Sequence, residues 1–317
     1  MEQQDILSMN LLELQAAVQE LGEPKFRAKQ IFNWLHQKRV TDFSEMTTLS
    51  LPFRERLASD FCINRLKIAK RLASSVDDTV KYLYELPDGN YVETVCMQYH
   101  HGTSLCISTQ VGCRMGCRFC ASAIAGFVRN LTPAEMLLQI YETERAQNCK
   151  ISSLVLMGIG EPLDNFDNVL RFLQLLSDPN GYGMSLRHVT VSTCGIVPKI
   201  LELAEQRLGL TLSVSLHCPN DAGRSAIMPI NRSYPIDVLL DACQTYFEKT
   251  GRRVTFEYAV MEQVNSAEQD AAALAERLKG LHAHVNLIPI NPVKERNFHT
   301  LKKTVLQFQK TLERYGI

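Results

Sequence analysis

From Ser104 onward, short β-rich runs alternate with amphipathic helical stretches, and this alternation constrains the fold more than any other feature. The strand candidates are Ser104–Ser108, Ser153–Met157, His188–Val191, Leu212–Leu216, Arg253–Val260 and His284–Ile288. Helix candidates between them run over about 133–147, 166–177, 198–207, 235–249 and 266–279. The first is well signalled: Thr132 can cap it, Pro133 suits its first turn, and Glu135 completes a capping box. Strands separated by helices predict parallel pairing and an α/β fold, here a partial (β/α)6-type barrel. A doubly wound open sheet has the same local pattern. In either fold, ligands gather beyond the C-terminal ends of the strands.

Two smaller pieces precede this region. Residues 1–75 read as a helical domain, with one apolar stripe of Leu11, Leu12, Leu14, Val18 and Leu21 and another of Phe26, Ile31, Phe32 and Leu35. Residues 76–104 read as a β-hairpin extension, Val80–Leu86 and Tyr91–Val95 around the turn Pro87-Asp88-Gly89-Asn90. The barrel is then expected over 105–317. Between Lys25 and Arg39 there are five basic residues and no acidic one, which is either a solvated helix face or an RNA-facing surface.

The strand ending at Ser108 leads into Cys113-Arg114-Met115-Gly116-Cys117-Arg118-Phe119-Cys120, a C-x3-C-x2-C spacing. Three thiolates on a short loop can hold three irons of a cubane and leave the fourth without a protein ligand. Structural zinc wants four ligands, so a zinc site would need a remote Cys or His; three unrelated core cysteines are the other alternative. Loop placement disfavours the latter. The first ten residues carry early acids and no apolar h-region, so no export signal is expected, and no stretch is long and apolar enough to span a bilayer. Ten cysteines in such a chain argue for reduced thiols and a cytoplasmic protein rather than a disulfide framework. Lys plus Arg and Asp plus Glu are equal at 34 each, so net charge alone points to neither nucleic acid nor membrane.

The cysteine spacing, after a first barrel strand, resembles the radical S-adenosylmethionine (SAM) superfamily. That resemblance implies a [4Fe–4S] cluster on Cys113, Cys117 and Cys120, whose open iron chelates the methionine end of SAM and whose electron breaks the sulfonium bond to give a 5′-deoxyadenosyl radical. Polar groups recur at the ends of the later strands: Gly160 and Glu161 in Gly158–Pro162, then Ser192, then Ser215, Leu216 and His217, then Asn291. One such residue is usually a turn residue, but their recurrence favours a shared ligand, and the resemblance makes them a bed for SAM.

Residues 22–317 further resemble the RlmN family, bacterial enzymes that methylate adenosine C2 in 23S ribosomal RNA and in transfer RNA next to the anticodon. The resemblance rests on Phe26–Ile31, Tyr91–Val95, Gln110–Cys120, Gly126–Thr132, Met157–Asn165, Val191–Thr193, Ser215–His217 and Leu287–Pro292. A related family methylating C8 of the same rRNA adenosine is the near neighbour. Membership implies an external electron donor, 23S rRNA and tRNA as partners, no membrane, and a monomer. It implies that a methyl-carrying cysteine near the C-terminus delivers the carbon, that Cys106 resolves the covalent RNA adduct with formation of a disulfide, and that Glu93 is the acid–base residue. Without it, Cys106 reads as a buried strand residue and Glu93 as an exposed hairpin residue. An RNA substrate would raise the role of the Lys25–Arg39 run, with Phe26, Phe32 and Trp34 interleaved, and of Arg114, Arg118 and Arg129.

The sequence ends at Gly316-Ile317, whereas the family continues into the loop bearing the methyl-carrying cysteine. A truncated, inactive form that binds cluster and SAM is therefore expected. Cys149 and Cys243 are expected to be packing residues, and Cys194 and Cys218 small-residue substitutions beside the cofactor loops. The competing functions are a radical SAM enzyme acting on a small molecule, without RNA affinity, and a non-catalytic RNA-binding or cluster-carrying relative.

Overall fold

The structure, a computed structural model, describes residues 3–317, which fall into two compact units. The first contains the chain up to Val111 together with Asn130–Gly158 and Asn165–His188; the second contains Gly112–Arg129, Ile159–Asp164 and Val189–Ile317.

The first unit opens with helices Leu11–Glu20, Phe26–Asn33 and Leu51–Asp60. Asn10 starts the first by accepting the Glu13 amide, while the Glu13 carboxylate accepts the Asn10 amide. Leu14, Val18, Ile31, Phe32 and Leu35 are buried as the two stripes require, but Leu12 and Phe26 are exposed. Helix to about residue 75 is not what forms. Beyond Asp60 the segment Lys67–Ala73 is a strand, antiparallel to Val80–Glu85. Ile68 and Leu72 have helical spacing, yet a bulge between Ile68 and Lys70 places them on opposite strand faces. Pairing with a neighbour here overrides a weak local preference.

The expected hairpin forms from Val80–Glu85 and Tyr91–Tyr99. Tyr91–Tyr99 is followed by Gly102–Cys106, which pairs antiparallel with it and parallel with Ile151–Leu156. Tyr82, Tyr84, Val92, Thr94, Cys96, Leu105 and Leu154 share one buried face. Helix Pro133–Gln147 covers it, with Tyr84 Oη 2.8 Å from Thr143 Oγ1 and Thr94 Oγ1 donating to Gln139 Oε1 at 2.9 Å. The capping box at Thr132 and Glu135 is present as expected.

The second unit contains parallel strands Val189–Thr193, Thr211–Ser215, Val254–Val260 and Ala283–Pro289. Helices Val197–Glu205, Ile236–Thr250 and Glu268–Leu278 connect them, within about two residues of the expected limits. Two further helices, Asp221–Ile227 and Lys302–Arg314, complete it. The register puts Ser192, Ser213, Ser215, Glu257 and Asn286 on one sheet face. Val191, Leu212, Val214, Phe256 and Tyr258 lie on the other, buried. Among the described residues no helix is long and apolar enough to cross a membrane.

Candidate active site

The three motif cysteines lie on one loop of the second unit, and backbone geometry fixes its base. The Cys113 amide donates to the Gly126 carbonyl at 2.9 Å. Gly112 has φ +72°, and a Cβ there would stand 1.8 Å from the Gly126 oxygen, so only glycine permits this approach. Farther along, the Arg118 amide donates to Ile227 O at 2.8 Å and the Cys120 amide to Cys117 O at 3.2 Å.

Cys117 is buried among Cys194, Cys218, Ile227, Met228, Ala259 and Met261, with Met115, Phe119 and Cys120 packed against the same cluster. Burial pushes the Cys113 thiol up to about 11 and that of Cys117 to about 12, with neighbouring thiols and Glu161 adding to both. These are protonated thiols that surrender their protons only to a strongly binding metal group. Three soft donors on one loop, in apolar surroundings, suit the irons of a cubane.

Around the loop the structure builds a dense polar frame. Glu161 is 4% exposed and accepts the Leu163 amide at 3.0 Å and the Cys194 amide at 2.7 Å. Burial raises its carboxyl above the usual range against these hydrogen bonds. The neighbouring Gly160, at φ +107°, occupies a conformation that side chains resist. His217 is buried in left-handed backbone at φ 55°, and its Nδ1 accepts the Ala259 amide at 2.9 Å. Burial, reinforced by the Arg224 charge, lowers its pKa to about 3, so the ring is neutral. The Phe119 ring of the cysteine loop meets it edge-on, centroids 4.8 Å apart.

Arg224 was not singled out by sequence reasoning. Fully buried, it donates to the carbonyls of Cys194 at 2.7 Å, Ser215 at 3.0 Å and Leu216 at 3.1 Å, and to Asn231 Oδ1 at 2.9 Å. Its only signal was an arginine inside a short capped run, Asn220–Ile227, where Asp221 three residues earlier offers an ordinary surface partner. Glu257 was missed too. It accepts Ser213 Oγ at 2.6 Å and Asn286 Nδ2 at 2.8 Å, across three strands on the face that carries Ser192 and Ser215. An acid inside the apolar run Val254–Val260 was the available clue. Asn291 stands exposed in the loop after Ala283–Pro289 and is not drawn into this frame.

Glu93 and Cys106 belong to the first unit and are brought together there. Cys106 pairs with Val95 on one side and Val155 on the other, which turns its side chain to the same face as Glu93. Burial pushes this thiol up to about 11; a hydrogen bond with the Met157 backbone lowers it, and the Glu93 charge adds a smaller upward push. Glu93 is ion-paired with Lys81 at 2.6 Å, both side chains 41% exposed. All ten cysteines are free, so no disulfide forms in this structure. Cys194, Cys218 and Cys243 are buried, and Cys149 is half-buried.

In the basic run, Lys25, Lys29 and Lys38 are exposed. Arg39 is committed to Glu144, and Phe32 is core rather than surface. Phe26 is exposed with the Arg27 guanidinium over its ring at 5.0 Å, and Lys38 Nζ lies 3.4 Å from the Trp34 ring centroid. Arg114 pairs with Asp164 at 2.9 Å and covers the Phe127 ring.

Comparison with known proteins decides the family. A model of the ribosomal RNA large subunit methyltransferase N-terminal domain matches residues 4–63, and the radical SAM superfamily model matches 107–275. A probable dual-specificity RNA methyltransferase RlmN of Lachnoclostridium phytofermentans is 50% identical over 100% of this chain and 89% of its own length. This chain belongs to the RlmN family. An RlmN relative from Clostridium novyi is 46% identical over 99% of this chain and 92% of its own length. A crystal structure of a radical SAM methyltransferase from Sphaerobacter thermophilus superposes with TM-score 0.95 at 38% identity, covering 99% of this chain and 93% of that one. The chain thus has the α/β radical SAM fold with a small N-terminal domain and is a radical SAM methyltransferase, and the RlmN family's cofactors are a [4Fe–4S] cluster and SAM.

Proposed function

We propose that this RlmN-family enzyme methylates C2 of adenosine in 23S rRNA and in tRNA next to the anticodon. The observation that carries the reading is that Glu93 and Cys106 share one sheet face in a chain whose cysteine loop suits a cubane. When bound, the cluster and SAM supply a 5′-deoxyadenosyl radical, the means to functionalise a carbon that ordinary methyl donors do not reach. In this reading Cys113, Cys117 and Cys120 hold the cluster, while Gly160, Glu161, Ser192, Ser215, Leu216 and His217 bed the SAM.

The protein's own groups have distinct tasks. The apolar packing around Cys117 excludes water from the reactive centre. His217, neutral and with Nδ1 engaged, can present only Nε2 to a ligand. Cys106 stays protonated at neutral pH, with the Glu93 charge helping to hold that proton, and Glu93 exchanges a proton with the RNA intermediate. As a thiolate, Cys106 would attack the sulfur of the thioether that links the RNA to the family's methyl-carrying cysteine, so that an S–S bond forms, the C–S bond breaks and the methylated base leaves. Lys25, Lys29 and Phe26 support RNA docking, and a loop adenosine, already partly unstacked, is cheaply extruded. An external donor supplies the electron, and the enzyme acts as a monomer in the cytoplasm.

Deleting the gene from the organism that encodes it, then digesting 23S rRNA and tRNA for mass spectrometry, tests this. The expected result is loss of 2-methyladenosine from both RNAs and its return on complementation. Retention of 2-methyladenosine, or loss of 8-methyladenosine instead, would overturn it.

A further inference from the structure

The strand Lys67–Ala73 is exposed at all seven residues and forms the edge of its sheet, paired only with Val80–Glu85. Between Phe61 and Val76 there are four basic residues, Arg65, Lys67, Lys70 and Arg71, and no acid. Arg65 is held by Glu142, but among the described residues Lys67, Lys70 and Arg71 make no ion pair. Ile68 and Leu72 on the same strand are 47% and 50% exposed.

The bulge decides where those cations point. Regular alternation from Lys67 would put Arg71 on its face and Lys70 on the other. With the register shift between Ile68 and Lys70, Lys67 pairs with Glu85, Lys70 with Leu83 and Leu72 with Lys81. Ile68 pairs with Tyr84 and Arg71 with Tyr82, and both tyrosines are buried on the helix-covered face. Paired residues share a face, so Lys67, Lys70 and Leu72 are turned to the face carrying Glu93 and Cys106, and Arg71 is turned away. Leu83 is the register partner of both Lys70 and Glu93. Lys70 therefore stands in one transverse row with Glu93, two strands away, roughly 10 Å at the usual strand spacing. Leu72 shares the next row with Lys81, Val95 and Cys106.

We propose that Lys67 and Lys70 form a phosphate rail for the substrate RNA, holding its backbone while the target base faces Glu93 and Cys106. This rests on the RNA methyltransferase reading and adds where the backbone runs. The Lys70-to-Glu93 separation is of the order of a nucleotide's span from base edge to phosphate. Ammonium groups on a phosphate backbone position a strand without reading its sequence, which suits an enzyme that serves two RNAs. Exposed Leu72, on the same face, offers an apolar surface to a neighbouring sugar or base. A protein strand could instead add to a bare sheet edge, but among the described residues Lys67 and Lys70 on one face make no ion pair, even with Glu85 opposite Lys67, and residues 61–76 carry no acid, which favours a polyanion.

The test uses the intact, cluster-loaded protein and an RNA hairpin with a loop adenosine, with binding followed by fluorescence anisotropy over a range of salt. The double variant Lys67→Gln/Lys70→Gln should bind roughly ten-fold more weakly, and its salt slope should fall by about 1.4 for two single-strand contacts. Lys70→Arg, which keeps the charge, should retain the slope. Arg71→Gln, an equal charge change on the opposite face, should stay within about two-fold of wild type. Thermal unfolding of each variant checks that it folds. Unaltered RNA affinity in the double variant would overturn the proposal and leave the edge to a protein strand. An equal loss in Arg71→Gln would also overturn it, since the face would then not matter. A wild-type protein that bound no RNA would instead defeat the substrate reading itself.

Discussion

The Glu161 carboxylate accepts the Cys194 backbone amide at 2.7 Å, which joins the glycine–glutamate loop to the loop that follows the strand Val189–Thr193. Its other oxygen accepts the Leu163 amide, so one buried side chain shapes two of the loops assigned to SAM. Glu161→Ala leaves both amides without this acceptor at a cost of about 1–3 kcal/mol each. We predict a lower Tm and a loss of SAM affinity in Glu161→Ala, with Glu161→Gln intermediate because its amide oxygen retains one acceptor. Calorimetry of SAM binding beside thermal unfolding checks both. Wild-type affinity in Glu161→Ala would remove the loop from the SAM bed.

The cysteine loop depends on a backbone contact that no side chain can replace. Gly112→Ala places a Cβ against the Gly126 oxygen in a left-handed conformation. Gly89→Ala has a similar φ but nothing within 4 Å, so it isolates the conformational cost of roughly 1 kcal/mol. Gly112→Ala should cost clearly more and should lower iron content after reconstitution, while Gly89→Ala should leave iron content intact. Equal iron content in both would show that the loop base is not what holds the cysteines in place.

The alternation of strands and helices was legible because each crossover helix carries its own pattern and cap, as Thr132 and Glu135 show. The cysteine loop was legible because its ligands are local. Lys67–Ala73 was not, since its conformation comes from a partner strand and a bulge that spacing does not encode. Arg224 and Glu257 were missed for a related reason: each is held by groups from several elements, which only the folded chain assembles. The nearness of Glu93 and Cys106 follows from register, and residue type alone gave no sign of it.

Two buried histidines give the stability a pH dependence. Burial is the main cause at both His36 and His217, lowering the first to about 4 and the second to about 3. The unfolded chain takes up protons below about 6.5 while the folded one does not, so this stability is fully present above 6.5 and lost as pH falls. At pH 5 each histidine removes about 2 kcal/mol. Tm should therefore drop between pH 7 and pH 5, and less steeply in His36→Gln. A flat wild-type profile would contradict this.

On the N-terminal helix, Lys25→Glu/Lys29→Glu should weaken RNA binding and reduce its salt dependence, because both lysines are exposed beside Phe26. Iron content should be unchanged. Equal affinity across salt concentrations for variant and wild type would leave this run a solvated face.

We propose that Cys113, Cys117 and Cys120 of one loop hold a cubane whose fourth iron is left for SAM. Anaerobic reconstitution followed by iron and sulfide analysis and electron paramagnetic resonance tests this. About four irons and four sulfides per chain are expected, with a reduced spectrum that changes when SAM is added. Cys113→Ala, Cys117→Ala and Cys120→Ala should each lose the cluster, while Cys194→Ala and Cys218→Ala keep it. An unchanged cluster spectrum in the three loop variants, or one indifferent to SAM in the wild type, would rule this ligand set out.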